Sequence, residues 1–114
     1  MNIHIEDLEN DAKDERAYAN NFAASYEKRK IDLLAASTNF KNNQTNQNYE
    51  FCRARYNWAN EGYCNAVASW MNANDLEKEL FELTGKTTNS PEKPRELESR
   101  EKYYFWPKFG LKKI

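Results

Sequence analysis

The spacing of hydrophobic residues predicts a long helix at the start of the chain, over residues 4–40. Its apolar positions follow one another at steps of three, four or seven, the spacing of one helical face; they are Ile5, Leu8, Ala12, Ala19, Phe22, Tyr26, Leu33 and Phe40. Further apolar residues widen this face from Ala17 onward. The polar, asparagine-rich stretch 41–48 that follows predicts a loop, because asparagine favours turns over helix interiors.

Residues 49–72 are predicted to form the central helix, because they are apolar on two sides. One face carries Tyr49, Cys52, Tyr56, Ala59, Tyr63, Val67 and Trp70, and the nearly opposite face carries Phe51, Ala54, Trp58, Gly62 and Ser69. A helix with two apolar faces needs two neighbours. The first helix, antiparallel across a short loop, is expected to cover the tyrosine face. For the Phe51/Trp58 face we favour the C-terminal tail. The alternatives are one of the two shorter helices of the chain or a second copy of the protein.

Two shorter helices are predicted beyond the central one. Residues 72–75 resemble a helix boundary, with Asn74 as N-cap of a helix over 75–84 that ends at Gly85. A last helix is predicted over 91–105, starting at Pro91 or at Pro94, and a tail over 106–114. The expected fold class is therefore all-α: one domain over residues 1–114, a small helical bundle built on a long antiparallel helical hairpin.

Composition shows where the core must come from. Aromatic residues make up 14% of the chain although its mean hydropathy is -1.06, so aromatic rings must provide much of the buried surface. The net charge of -1 argues against a general nucleic-acid binder. Charge is nevertheless uneven, since acidic residues dominate positions 6–15 and lysines alone carry the charge after Glu101.

Neither a secretory signal nor a membrane span is expected. The first residues are acidic and polar, unlike a signal peptide, and no apolar run approaches the ~20 residues that a membrane helix needs. Cys52 and Cys64 would lie roughly 18 Å apart along one continuous helix, at 1.5 Å per residue, which is too far for a disulfide. These features favour a cytoplasmic protein with two reduced thiols.

Catalytic chemistry is poorly represented in the sequence. His4 is the single histidine and is predicted to lie in the first helical turn, with no spacing that pairs it with Cys52 or Cys64. The two cysteines and His4 lack the close paired spacing of a structural zinc site. Glycine-rich phosphate loops and hydrolase or metalloprotease motifs do not occur. We therefore expect no enzymatic activity, no metal and no cofactor.

The most distinctive stretch is the C-terminal KYYFWPKFGLKKI, from Lys102 to Ile114. Its aromatic rings and lysines allow three interpretations: the rings complete the core, they bind a protein partner, or they stack on the bases of a single-stranded nucleic acid. The predicted partner-binding residues are Tyr103, Tyr104, Trp106, Lys108 and Phe109 from this tail, with Phe51 and Trp58 from the second apolar face of the central helix and Arg55 flanking that face.

The function expected from these features is binding without catalysis. We expect a protein that binds, and modulates or inhibits, a larger protein or nucleoprotein assembly. Small asparagine-rich helical proteins of this general appearance are often accessory factors of phages or mobile elements, including inhibitors of host defence. The alternative is a nucleic-acid-binding accessory protein that uses the basic aromatic tail, together with Arg53 and Arg55. A homodimer is compatible with either function.

Overall fold

The fold is an all-α hairpin with a short third helix, which confirms the predicted class. In the computed structural model, residues 2–87 and 90–105 are described, with side chains from residue 4 onward. Helix α1 spans Asn2–Asn42, α2 spans Asn46–Thr84 and α3 spans Arg100–Tyr104. The molecule measures 65 × 19 × 16 Å. Within the described part of the chain, no helix is both long enough and apolar enough to cross a bilayer.

The core between α1 and α2 follows a seven-residue repeat on both helices. The buried positions of this repeat are Ala12, Ala19, Tyr26, Leu33 and Phe40 on α1, and Cys52, Ala59, Ala66, Ala73 and Leu80 on α2. Apolar residues at seven-residue intervals keep one seam in contact along two long helices, as in an antiparallel coiled coil. Alanines dominate the half of the seam far from the loop, where short side chains let the helices approach closely.

Helix α2 is continuous through the predicted boundary at residues 72–75, so that boundary is wrong. Ala73 is fully buried, and the Asn74 side-chain oxygen accepts a 2.5 Å hydrogen bond from Arg16 Nη2. One turn on, both carboxylate oxygens of Glu77 accept from the same guanidinium, at 2.9 and 2.6 Å. These contacts with α1 extend the helix through residues that favour turns in isolation. The prediction that Gly85 caps the helix is confirmed, since it has φ 74° and donates to the Phe81 carbonyl at 2.7 Å.

The loop between the long helices is shorter than the predicted 41–48. Only residues 43–45 lie between the two helices. Thr45 is the N-cap of α2, and its hydroxyl accepts a hydrogen bond from the Asn48 amide at 3.1 Å. A capping threonine inside the polar run therefore starts the helix earlier than asparagine content alone indicates.

Residues 90–99 are not helical, which corrects the predicted last helix over 91–105. Pro91 and Pro94 lack the amide hydrogen that a helix needs and disfavour helical geometry in the residue before each. The segment instead runs along the hairpin as a strap, a name we use for residues 90–99. Its carbonyls accept hydrogen bonds from three helix side chains: Trp70 Nε1 to Pro91 at 2.9 Å, Tyr26 Oη to Arg95 at 2.5 Å and Tyr56 Oη to Glu98 at 3.3 Å. Helix α3 follows, capped by Ser99.

Candidate functional site

Two of the predicted binding residues belong to the core. Tyr103 and Tyr104 are 5% and 7% exposed, and the Tyr104 ring centroid lies 5.4 Å from that of Tyr49 and 5.6 Å from that of Tyr56. Rings in this position present almost no surface to a partner. Their predicted role is therefore corrected: they complete the aromatic core near the loop, as the first interpretation of the tail expected. Trp106, Lys108 and Phe109 lie outside the described residues.

The strap and α3 lie on the tyrosine face of α2, so the prediction that the tail covers the Phe51/Trp58 face is wrong for its described part. Tyr56 and Trp70, which bond the strap, each follow a buried repeat position by four residues. Residues three positions after a buried one point to the opposite side of the seam. We call that opposite side the back face of the hairpin.

Three predicted residues meet on the back face. The Arg55 guanidinium carbon lies 4.7 Å from the ring centroid of Phe51 and 5.2 Å from that of Trp58. Spacings of four and three residues along α2 place these side chains one turn apart on the same surface. A second guanidinium, from Arg29 of α1, lies 4.6 Å from the Trp58 ring. We call Phe51, Arg55, Trp58 and Arg29 the Arg–aromatic cluster.

Arg29 was not predicted as a site residue, because in the sequence it only interrupts the apolar stripe of α1. Its Nη1 donates to the Trp58 carbonyl at 2.8 Å and lies 3.5 Å from a carboxylate oxygen of Glu61. Gly62 makes room for it, since a Cβ at that position would lie 2.9 Å from Arg29 Cδ. The useful sequence signal was therefore a glycine inside α2, where the backbone is closely approached. The Nε of Arg29 is buried without a hydrogen-bond partner among the described residues.

The cluster combines exposed apolar surface with available hydrogen-bond donors. Phe51 is 48% exposed, and Arg55 forms no ion pair or hydrogen bond with any other described residue. A guanidinium stacked on rings keeps its N–H groups at its edge, where they bind a carboxylate or another planar acceptor in two-point fashion. Tryptophan and arginine are also the residues most enriched where binding energy concentrates at protein interfaces.

The buried cysteine, Cys52, lacks the lowered pKa of an activated nucleophile. Both cysteines are free, with Cys52 buried and Cys64 exposed. Burial raises the pKa of the Cys52 thiol to about 11 although nearby Lys41 lowers it, and its Sγ lies 3.5 Å from the Tyr103 carbonyl, to which it donates. An activated cysteine needs a lowered pKa. In the described residues, no group of three or more His, Cys, Asp or Glu side chains is placed to hold a metal ion.

In comparisons with known proteins, no family model, no curated protein and no solved structure matches this chain.

Proposed function

We propose that this protein is a non-enzymatic interaction protein that binds and modulates a larger protein or nucleoprotein assembly through its back face. The single observation that carries the proposal is the position of Arg55. Its guanidinium lies across the Phe51 and Trp58 rings without a carboxylate partner among the described residues. The contacts with the two rings hold the half-buried Arg55 guanidinium in place beside the exposed Phe51 ring, an arrangement of the kind that concentrates binding energy at protein interfaces.

The surroundings of the cluster favour a protein over a polyanion. Glu61, 69% exposed at its side chain, lies beside Arg29, and Arg53 is paired with Glu50 at 3.3 Å. Acidic side chains this close repel the many charges of a phosphate backbone more strongly than the single carboxylate of a protein partner. The narrower part of the proposal, a phage or mobile-element factor that inhibits a host defence assembly, is supported only by size, composition and the lack of catalytic groups.

A capture experiment with matched variants tests the proposal. Immobilised wild-type protein is compared with Arg55→Ala and Phe51→Ala in capture from host lysates. The control is Ile31→Ala, which removes an exposed apolar side chain (66% exposed) from α1 outside the cluster. We expect the wild type and Ile31→Ala to retain the same partner and both cluster variants to lose most of it, with unchanged helical circular dichroism.

Equal capture by all four proteins would contradict the proposed surface. Loss of capture by Ile31→Ala as well would show that exposed apolar area in general, and not the cluster, holds the partner.

Nucleic-acid binding is the second candidate, because arginine stacked on aromatic rings is also an arrangement that holds single-stranded bases. Titration with a labelled oligonucleotide at increasing salt separates the two. Steep loss of affinity with salt would support it, and no binding at low salt would reject it. The tail residues Trp106, Lys108 and Phe109 are the ones to vary in that experiment.

A further inference from the structure

The strap lies against a row of aromatic side chains. Tyr56, Tyr63 and Trp70 recur at seven-residue intervals on the tyrosine face of α2, and the ring centroid of Tyr26 on α1 lies 5.6 Å from that of Tyr63. We call these four residues the aromatic row. All but Tyr63 donate a side-chain hydrogen bond to a main-chain carbonyl of the strap. The row therefore holds a segment of chain by its backbone.

The spacings of donors and acceptors show that the strap is extended. Trp70 and Tyr56 are fourteen residues apart on α2, which is roughly 21 Å at 1.5 Å per residue. The carbonyls that accept from them, of Pro91 and Glu98, are seven residues apart, which is roughly 22 Å at the 3.1 Å per residue of a polyproline II helix. The agreement indicates that the strap runs along α2 close to that conformation, which prolines favour in themselves and in the residue before each.

Proline-containing segments of this kind are common ligands of aromatic grooves. Pro91 and Pro94 have the P-x-x-P spacing, and such segments bind against aromatic side chains because they are extended before binding and lose little entropy. The chain thus binds a piece of itself in the way that peptide-recognition domains bind a proline-rich partner. The aromatic row recognises its occupant by extended shape and carbonyl positions, both of which another chain can supply.

Most of the strap stays at the surface of the protein. Eight of its ten residues are exposed, and Pro94 and Leu97 are the two that are partly buried. The hydrogen bonds from Tyr56 and Trp70 are exposed, so water competes for the same groups. A cavity of about 260 Å³ lies between the strap and α1, with Pro94 and Tyr26 in its lining. The strap therefore fills its site incompletely and is held there by few buried contacts.

The ends of the strap are held more firmly than its middle. At one end, Ser90 Oγ donates to a Glu77 carboxylate oxygen at 2.6 Å, and beyond the other end the Tyr103 and Tyr104 rings are buried. The buried positions of the seam belong to α1 and α2. The middle of the strap, residues 91–98, can therefore leave the aromatic row while the hairpin and both ends stay in place.

From these observations we infer that the aromatic row is a binding surface for an extended P-x-x-P segment of a partner protein, and that the strap is its intramolecular competitor. The partner segment takes the place of residues 91–98, with its carbonyls on the donors of the row. The tethered strap acts at a high effective concentration, so it excludes weak ligands and sets a threshold that a partner must exceed. The cavity beside Pro94 gives a partner room for contacts that the strap lacks. This surface lies opposite the Arg–aromatic cluster, and the inference does not rest on the proposed function.

Exchange with the strap's own sequence tests the inference on the full chain. The probe is a fluorescent peptide, SPEKPRELES, which copies residues 90–99, and its anisotropy is followed as protein is added up to roughly 1 mM. Wild type is compared with the double variant Pro91→Gly/Pro94→Gly, whose strap loses its preformed extended conformation. We expect the double variant to bind the peptide at least about ten-fold more tightly than wild type, because its own strap competes less.

Two controls show whether the aromatic row holds the peptide. In the double variant, Tyr26→Phe removes the hydroxyl that donates to the strap and should weaken peptide binding at least about three-fold. Tyr18→Phe, the same change at an exposed position of α1, should leave peptide binding unchanged. A peptide in which alanine replaces both prolines should bind more weakly than the proline peptide.

Limited proteolysis of the wild type tests the opening of the strap without any substitution. Trypsin cleaves a segment that is locally unfolded, so it should cut after Arg95 before it cuts at any lysine or arginine within α1 and α2. Cleavage after Arg95 no earlier than within the helices would overturn the inference.

The peptide experiment overturns the inference in four further cases. They are no binding to the double variant, equal binding to wild type and double variant, equal effects of Tyr26→Phe and Tyr18→Phe, and equal affinities of the proline and alanine peptides. Loss of helical circular dichroism in the double variant would overturn it as well, because the strap would then be required for folding and could not be a displaceable occupant.

Discussion

Ser37 of α1 donates a 2.7 Å hydrogen bond through its Oγ to the Tyr103 main-chain carbonyl, joining residues 66 positions apart in the buried core. Ser37 is 2% exposed. Apart from the tyrosines and Cys52, it is the one buried residue with a polar side chain among those described. This bond, with the Tyr103 and Tyr104 rings beside it, fixes where the C-terminal part of the chain returns to the hairpin.

Ser37→Ala should destabilise the protein by about 1–2 kcal/mol, because the Tyr103 carbonyl loses its strongest buried donor. Urea denaturation followed by circular dichroism measures the change. Ser25→Ala in the same helix is the matched control: it makes the same gain in helix propensity, and Ser25 has no hydrogen bond to lose among the described residues. Equal effects of the two substitutions would contradict the role of the Ser37 hydroxyl.

The two thiols should react at very different rates. Cys64 is exposed, whereas Cys52 is buried with its pKa raised to about 11 by burial, so at pH 8 only about one Cys52 thiol in a thousand would be ionised even if reagent reached it. Iodoacetamide followed by mass spectrometry should show one fast modification, absent in Cys64→Ser. A second modification follows only on unfolding in urea. Two fast modifications in the native protein would show that the core near the loop opens readily.

Stability should fall in alkaline solution, starting near pH 9. Burial raises the pKa of Cys52 from 9.0 to about 11, so above pH 9 the unfolded chain releases this proton more readily than the folded one, and the folded state loses stability until about pH 11. Burial also raises the pKa of Tyr26, Tyr103 and Tyr104 above 10.0, so the loss of folding stability continues to higher pH. Urea midpoints between pH 7 and pH 11 measure it.

Cys52→Ala provides the control for this pH dependence. The variant should retain the decline above pH 10, caused by the tyrosines, and lack the part that begins near pH 9. A flat profile in the wild type up to pH 11 would contradict the burial of these groups.

Gly62→Leu should destabilise the protein by about 1–2 kcal/mol in spite of leucine's better helix propensity. A Cβ at this position would lie 2.9 Å from Arg29 Cδ, so the arginine must leave the Trp58 ring and its bond to the Trp58 carbonyl. Ala68→Leu, at an exposed position of the same helix, is the control and should be nearly neutral. Thermal unfolding measures both, and equal melting temperatures would contradict the tight contact.

The all-α class, the long hairpin and the capping glycine were determined by sequence alone, because periodicity and residue propensities act locally. The repeat of apolar residues at seven-residue intervals already lies in the sequence, at Ala12, Ala19, Tyr26, Leu33 and Phe40. Sequence spacing also grouped Phe51, Arg55 and Trp58 on one helix, since residues three and four apart share a surface.

Only the tertiary structure decided the features that depend on partners distant in the chain. Residues 72–75 carry turn-forming side chains, yet Arg16 bonds Asn74 and Glu77 and the helix continues. Residues 91–99 resemble a helix start, yet Tyr26, Tyr56 and Trp70 bind their carbonyls and the strap forms instead. Arg29 belongs to the Arg–aromatic cluster, and Tyr103 and Tyr104 belong to the core and not to the predicted site, for the same physical reason. Burial and long-range hydrogen bonds outweigh local propensities of a few tenths of a kcal/mol per residue.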